Sequence, residues 1–188
     1  MTPTQMPLDS GCVLLGDRDD AIDAARNRPL GVRYVLCLQQ RGEDVWSPER
    51  VARFHDYGGI LVHLPLFDDD RMRFSDLMHA ASILLYLTRT AATEDRKVLV
   101  HCTVGASRTA AVYLTARLLA EFGDYGSTGW PLEMVDPILN ELRAARPVTC
   151  QMYSHHYDLL TGGPVVPYGG RLASTAVEEP AVAQGRGP

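Results

Sequence analysis

In "VLVHCTVGASRTAAV", residues 98–112, a histidine and a cysteine close an apolar run, and an arginine and a threonine follow before the next one. The pattern predicts a buried strand ending at His101, a loop after Cys102, and a helix starting near Ser107. Loop amides ahead of a helix N-terminus converge on one concavity, and the helix dipole makes it positive. Gly105 lets the backbone fold around an anion with no Cβ in the way. Arg108 has a planar fork that can hold two phosphate oxygens at once. In such a nest the amides, the dipole and the guanidinium all favour a cysteine thiolate. A thiolate beneath a bound phosphate is a nucleophile with its target delivered. Thr109 adds a hydroxyl placed to hydrogen-bond the sulfur as it leaves, and His101 can brace the loop from behind. An inert strand cysteine would need no arginine six residues on.

Alternating strand and helix patterns must position this loop. "CVLLG" reads as a strand and "DRDDAIDAARN" as a helix. "VRYVLCL" reads as a second strand. "SPERVARFHDYGG" reads as a helix with Ser47 as N-cap, Pro48 at its first position and Gly58-Gly59 as its stop. "ILVHLPL" reads as a buried strand, closed by the loop "FDDDRMR". Ser75 is expected to cap "SDLMHAASILLYLTRTAA", in which Leu77, Ala80, Leu84 and Leu87 recur at helical spacing. "KVLVH" suits the middle of a sheet. "SRTAAVYLTARLLAEFG" reads as a helix ended by Gly123, and "GDYGSTGWP" as a linker. Asp136-Pro137 reads as the start of a helix stopped by Pro147, and Thr149 opens a last helix running to Gly162-Gly163. His155 and His156 read as surface or cap residues, and Trp46 and Trp130 as loop anchors.

The fold class expected is therefore α/β: one domain with a central, mostly parallel sheet of about four to five strands flanked by helices, and a helical C-terminal half. The domain is expected over residues 12–160. Residues 1–11 read as an N-terminal extension and residues 161–188 as a disordered tail.

Bulk properties narrow the classes. A length of 188 residues, 46% hydrophobic and 22% charged, suits one domain with a sizeable core. The longest mainly apolar stretch, Ala80 to Leu87, is too short to span a bilayer, and the first residues carry no secretory pattern. A net charge of −5 argues against a nucleic-acid surface. Cys12, Cys37, Cys102 and Cys150 lack metal-ligand spacing, so neither zinc nor a disulfide framework is expected. A cytoplasmic, monomeric protein without metal or membrane contact fits best.

"HCTVGASRT" resembles the HCxxGxxR[ST] signature of the cysteine-dependent protein phosphatases, and its "SRT" ending resembles the dual-specificity branch. "GCVLLGDRDDAIDAARNRPLGVRYVLCL" resembles the opening of that branch, "HLPLFDDD" its acid loop, and "AARPVTC" a later helix junction. The resemblance implies a protein-tyrosine phosphatase-like fold and a two-step reaction on phosphorylated proteins, without cofactor. Cys102 would attack phosphorus to form a phosphocysteine while an aspartic acid protonates the leaving oxygen. The same aspartate would then activate water. The amides of Thr103, Val104, Gly105, Ala106, Ser107 and Arg108, with the Arg108 guanidinium, would hold the phosphate oxygens.

The acid lies among Asp68, Asp69 and Asp70. Counting back from Cys102 favours Asp70, whereas the family's "lPxxD" pattern counted forward favours Asp68. Asp68 is preferred, because "LTRTAATEDR" looks long for the family and displaces the backward count. Substrate is less legible. Thr103, Val104 and Ala106 are uncharged where lipid-directed relatives tend to carry lysines, and Arg71 and Arg73 either attract a second acidic group or balance the aspartates. RNA 5′-triphosphatase activity is one alternative, since "HCT" begins that family's loop too, although Ser107 and Ala110 depart from its pattern. A phosphate-binding pseudophosphatase is another. Cys37 in "YVLCLQ" is either a core residue or, as in some relatives, a disulfide partner for oxidised Cys102.

Overall fold

The structure, a computed structural model, describes residues 3–26, 31–43, 45–124, 129–146 and 154–162. Pro147, Thr149, Cys150, the end of "AARPVTC" and the tail from 163 lie outside them. The elements in chain order are β1 (Thr4–Leu8), β2 (Gly11–Gly16), α1 (Arg18–Arg26), β3 (Val32–Cys37), α2 (Pro48–Asp56), β4 (Ile60–His63), α3 (Phe74–Thr93), β5 (Lys97–His101), α4 (Arg108–Phe122), α5 (Leu132–Ala145) and α6 (Ser154–Thr161).

The five strands form one sheet in the order β1-β2-β5-β3-β4. Every pairing is parallel except β1 with β2. β5 is the central strand, as its unbroken apolar run requires, because both its faces are covered. Side chains alternate across the sheet. Val13, Leu15, Leu36, Val98 and Val100 enter the larger core beneath α3, α4 and α5. Leu14, Val35, Cys37 and Leu99 face α1 and α2 in the smaller one. No described helix is long and apolar enough to cross a membrane.

Four details differ from the sequence expectation. Residues 4–8, within the segment read as an extension, form β1 on one edge of the sheet. β4, expected to be buried, is the opposite edge strand, and it leaves Ile60 41% exposed because it pairs with β3 alone. α3 is capped at Arg73 rather than Ser75, since Asp76 reaches back to accept the Arg73 backbone N–H at 3.0 Å. α5 begins at Leu132 and carries Pro137 inside it. Val135, Ile138, Leu139 and Leu142 form a buried stripe at i, i+3, i+4 and i+7, and this burial outweighs the single backbone bond that Pro137 forfeits. Ser47 caps α2 and Pro48 opens it, as expected.

Candidate active site

The C-terminal ends of β5 and β3 converge on the loop from Cys102 to Arg108. Leu38 N–H donates to His101 C=O at 2.9 Å, and Arg18 N–H donates to Thr103 C=O at 3.2 Å. Gly105 has φ +73, and a Cβ there would lie 2.6 Å from the Gly16 carbonyl oxygen. Glycine is needed for its left-handed backbone and again for this close approach. Gly105 N–H in turn donates to Cys102 Sγ at 3.2 Å. α4 follows at once, so its positive end faces the same sulfur. Cys102, Ser107 and Arg108 are buried, whereas Val104 is 66% exposed at the rim; Thr103 and Ala106 lie between these extremes.

Arg108, 1% exposed, is the hub. Its Nη1 donates to Glu43 Oε2 at 2.7 Å and to the Leu38 and Leu66 carbonyls at 3.4 and 3.3 Å. Its Nη2 donates to Glu43 Oε1 and Thr103 Oγ1, each at 3.3 Å. Nε is buried and has no hydrogen-bond partner among the described residues. Burial would push Glu43 up, but hydrogen bonds from Arg108 and the Gln40 backbone outweigh it and hold this carboxyl below its usual range.

Of the three aspartates only Asp68 meets this hub, with Oδ2 3.5 Å from Arg108 Nη2. Burial pushes its carboxyl above the usual range, the Arg108 charge opposes this, and the Glu43 charge adds to it. Asp69 is instead paired with Arg71 at 2.6 Å, which lowers it. Asp70 is exposed. Arg71 also stacks over Phe67 at 4.2 Å, and Arg73 pairs with Asp76 at 3.3 Å, so both arginines balance neighbouring acids.

His101 lies at the base of the loop, at the end of β5. Trp46 Nε1 donates to its Nε2 at 3.0 Å, and its Nδ1 lies 3.3 Å from the Cys102 carbonyl. Indole N–H is only a donor, so Nε2 accepts and the ring is the neutral Nδ1–H tautomer. Thr109 Oγ1 is buried without a hydrogen-bond partner among the described residues. Trp46 and Trp130 do anchor loops: the indole of Trp130 donates to Gly123 C=O at 3.2 Å.

No family model matches the chain, and no curated protein matches it in sequence. Solved structures do match it. Human DUSP28 is 19% identical, with a TM-score of 0.57 over 85% of this chain and 91% of that one. Tk-PTP in its active form is 18% identical, with a TM-score of 0.60 over 86% and 98%. PTPMT1 in complex with PI(5)P is 16% identical, with a TM-score of 0.57 over 84% and 92%. The chain has the dual-specificity phosphatase fold.

On this dual-specificity fold two features depart from the sequence reading, and Cys37 takes the core place that reading left open for it. Glu43 and Gln39 were not singled out. Gln39 is fully buried and donates to Thr103 Oγ1 at 3.3 Å and to the Glu43 carbonyl at 2.9 Å. Neither has a local signal, because "QQRGED" is what any polar turn looks like. His155 and His156, read as surface residues, are 2% and 0% exposed. Adjacent helix residues diverge, but here both directions are covered. Cys37 pairs in register with His101, one residue before Cys102, and belongs to the smaller core, whereas Cys102 belongs to the larger. The two thiols therefore point to opposite faces of the sheet, and a disulfide between them would require backbone movement.

Proposed function

We propose that this chain is a phosphatase that hydrolyses phosphate monoesters on proteins, phosphotyrosine above all and phosphoserine or phosphothreonine besides, through a phosphocysteine. The observation that carries the reading is the meeting of two separate loops, one bringing Cys102 and Arg108 and the other Asp68, around the buried Arg108 guanidinium. The phosphate sits over the start of α4, with the amides of residues 103–108 and Arg108 Nε as donors to its non-bridging oxygens. Cys102 Sγ attacks phosphorus in line. The bond to the leaving oxygen breaks, and that oxygen takes its electron pair and the Asp68 proton. Asp68, now ionised, removes a proton from water as the water oxygen attacks phosphorus. The S–P bond breaks, and Thr109 Oγ1 donates to the departing sulfur. The loop and Arg108 supply the charge stabilisation, so no metal is required.

Several features support a protein substrate with one phosphate. Cys102 is 2% exposed, while Val104 in the same loop and Phe67 beside Asp68 are exposed apolar side chains, which favours the aryl arm of phosphotyrosine. Arg71 and Arg73 are each engaged by a neighbouring acid, which disfavours a second phosphate such as an inositol headgroup carries. A net charge of −5 disfavours RNA. Free thiols at Cys12, Cys37 and Cys102 suit the reducing cytoplasm.

The test is hydrolysis of para-nitrophenyl phosphate in the presence of chelator, its arrest by vanadate, and a panel of phosphopeptides beside inositol lipids and 5′-triphosphorylated RNA. Cys102→Ser should bind phosphopeptide yet lose at least about 10³-fold in turnover. Full activity in Cys102→Ser overturns the nucleophile. A wild-type chain that binds phosphopeptides and hydrolyses none is a pseudophosphatase.

A further inference from the structure

α6 brings two imidazoles against the site that the reaction above does not use. Their rings meet edge-to-face at 3.9 Å. His156 Nδ1 and Ser107 Oγ share a 2.6 Å hydrogen bond, 49 residues apart in the chain and fully buried. Ser107 is the last residue before Arg108, and its hydroxyl makes no capping bond to α4. The side chain that would ordinarily cap the helix is instead tied to α6. His155, on the other side of the ring pair, lies within the field of the acid loop. Asp68 is its strongest charged neighbour, followed by Asp69 and Asp70, with Asp158 from its own helix. Asp68 feels His155 in return.

We propose that His155 and His156 are positioning residues for this phosphatase reaction, locking the Ser107 end of the phosphate loop and the Asp68 loop into one relative geometry. The inference rests on the function proposed above. His156 holds Ser107, the residue before Arg108, and His155, packed against His156, lies in the electrostatic field of Asp68. Neutrality matters because a cation beside Asp68 would favour its carboxylate and take away the proton it must deliver. Burial holds His155 below the ordinary histidine range against the pull of the aspartates. Burial, then the neighbouring His155 and Arg108, bring His156 down to about 3, with Asp69 opposing. Burial thus favours the neutral form of both rings.

The test follows para-nitrophenyl phosphate and a phosphotyrosyl peptide across pH. His155→Lys should move the basic limb of the rate profile about one unit toward acid, since an adjacent cation lowers a carboxyl by roughly that much or more. His155→Asn, polar and neutral, should leave the limb in place. His156→Ala should lower kcat about tenfold through a displaced Arg108, and His156→Asn, whose amide can meet Ser107, should recover most of it. Thermal melts accompany each variant, and the two asparagine variants serve if Lys or Ala does not fold. Asparagine variants that fold but shift the limb or lose kcat as alanine does overturn the proposal, as do lysine and alanine variants that only melt earlier. A wild-type chain without aryl phosphatase activity overturns the function itself, and this inference falls with it.

Discussion

The phosphate loop and the acid loop meet at Arg108 but are built in opposite ways. From Cys102 to Arg108 the chain is held by several elements, with β2 and α1 against Gly105 and Thr103, β5 behind, and α6 against Ser107, and only Val104 stands out into solvent. From Leu64 to Arg73 the chain is pinned mainly by buried Leu66 and Met72, while Phe67, Asp70 and Arg71 face outward. Leu66 N–H donates to Leu38 C=O at 3.2 Å, and Gln40 Nε2 donates to Leu66 C=O at 3.3 Å. In the proposed reaction the first loop works through consecutive backbone groups, so nearly every position in it matters. In that reaction the second loop delivers a single carboxyl, that of Asp68.

Arg108→Lys tests the packed side most severely. A lysine keeps the charge but not the fork that grips Glu43 and, in the proposed reaction, the phosphate. A loss of about 10³-fold in kcat/KM on para-nitrophenyl phosphate is expected. Retention of most activity would mean that charge alone suffices and the fork is incidental.

On the open side, Asp68→Asn should cost about 10²-fold on a phosphotyrosyl peptide, and less on substrates with better leaving groups. The raised carboxyl keeps its proton to higher pH than usual, so the wild-type rate falls as pH climbs through that pKa, and the asparagine variant should lack this fall. The same burial makes the ionised form a cost to the fold. Stability associated with Asp68 is present below the ordinary carboxyl range and lost as pH rises through the raised value. Asp68→Asn should therefore melt higher than wild type at neutral pH, with the gap closing in acid. Asp69→Asn and Asp70→Asn should stay within about twofold of wild type in rate. The Asp68 signature appearing in Asp70→Asn would reverse the contrast.

Glu43→Gln probes where the two loops join. Neutralising the carboxylate that grips Arg108 should lower kcat about tenfold, with the Arg108 side chain less well oriented. Because the Glu43 carboxyl is held low, its stabilising contribution is present at neutral pH and lost as pH falls through that lowered value. Melts of variant and wild type should converge in acid and diverge at neutral pH. The smallest effect is expected for Cys37→Ser: recovery from mild peroxide should match wild type, and unreduced digests should contain no Cys37–Cys102 crosslink. Such a crosslink would require the sheet to open at β3.

Apart from β1, the order of strands and helices, the place of β5 at the centre, the caps at Ser47 and Gly123, and the loop from Cys102 to Arg108 were determined by the sequence itself. Each rests on local physics: periodicity, turn chemistry, and residues whose functional neighbours lie within one helical turn of chain. The start of α5 was less legible, because burial of Val135, Ile138, Leu139 and Leu142 overrode the local preference of Asp136-Pro137. Glu43, Gln39, His155 and His156 were not legible at all as part of the site. Their side chains acquire meaning only when β3, the acid loop and α6 are folded against α4, tens of residues from Arg108 in sequence. Among Asp68, Asp69 and Asp70 the sequence pattern already preferred Asp68, and the tertiary structure separates the three carboxyls by what it sets beside each: a buried guanidinium, an exposed arginine, or solvent.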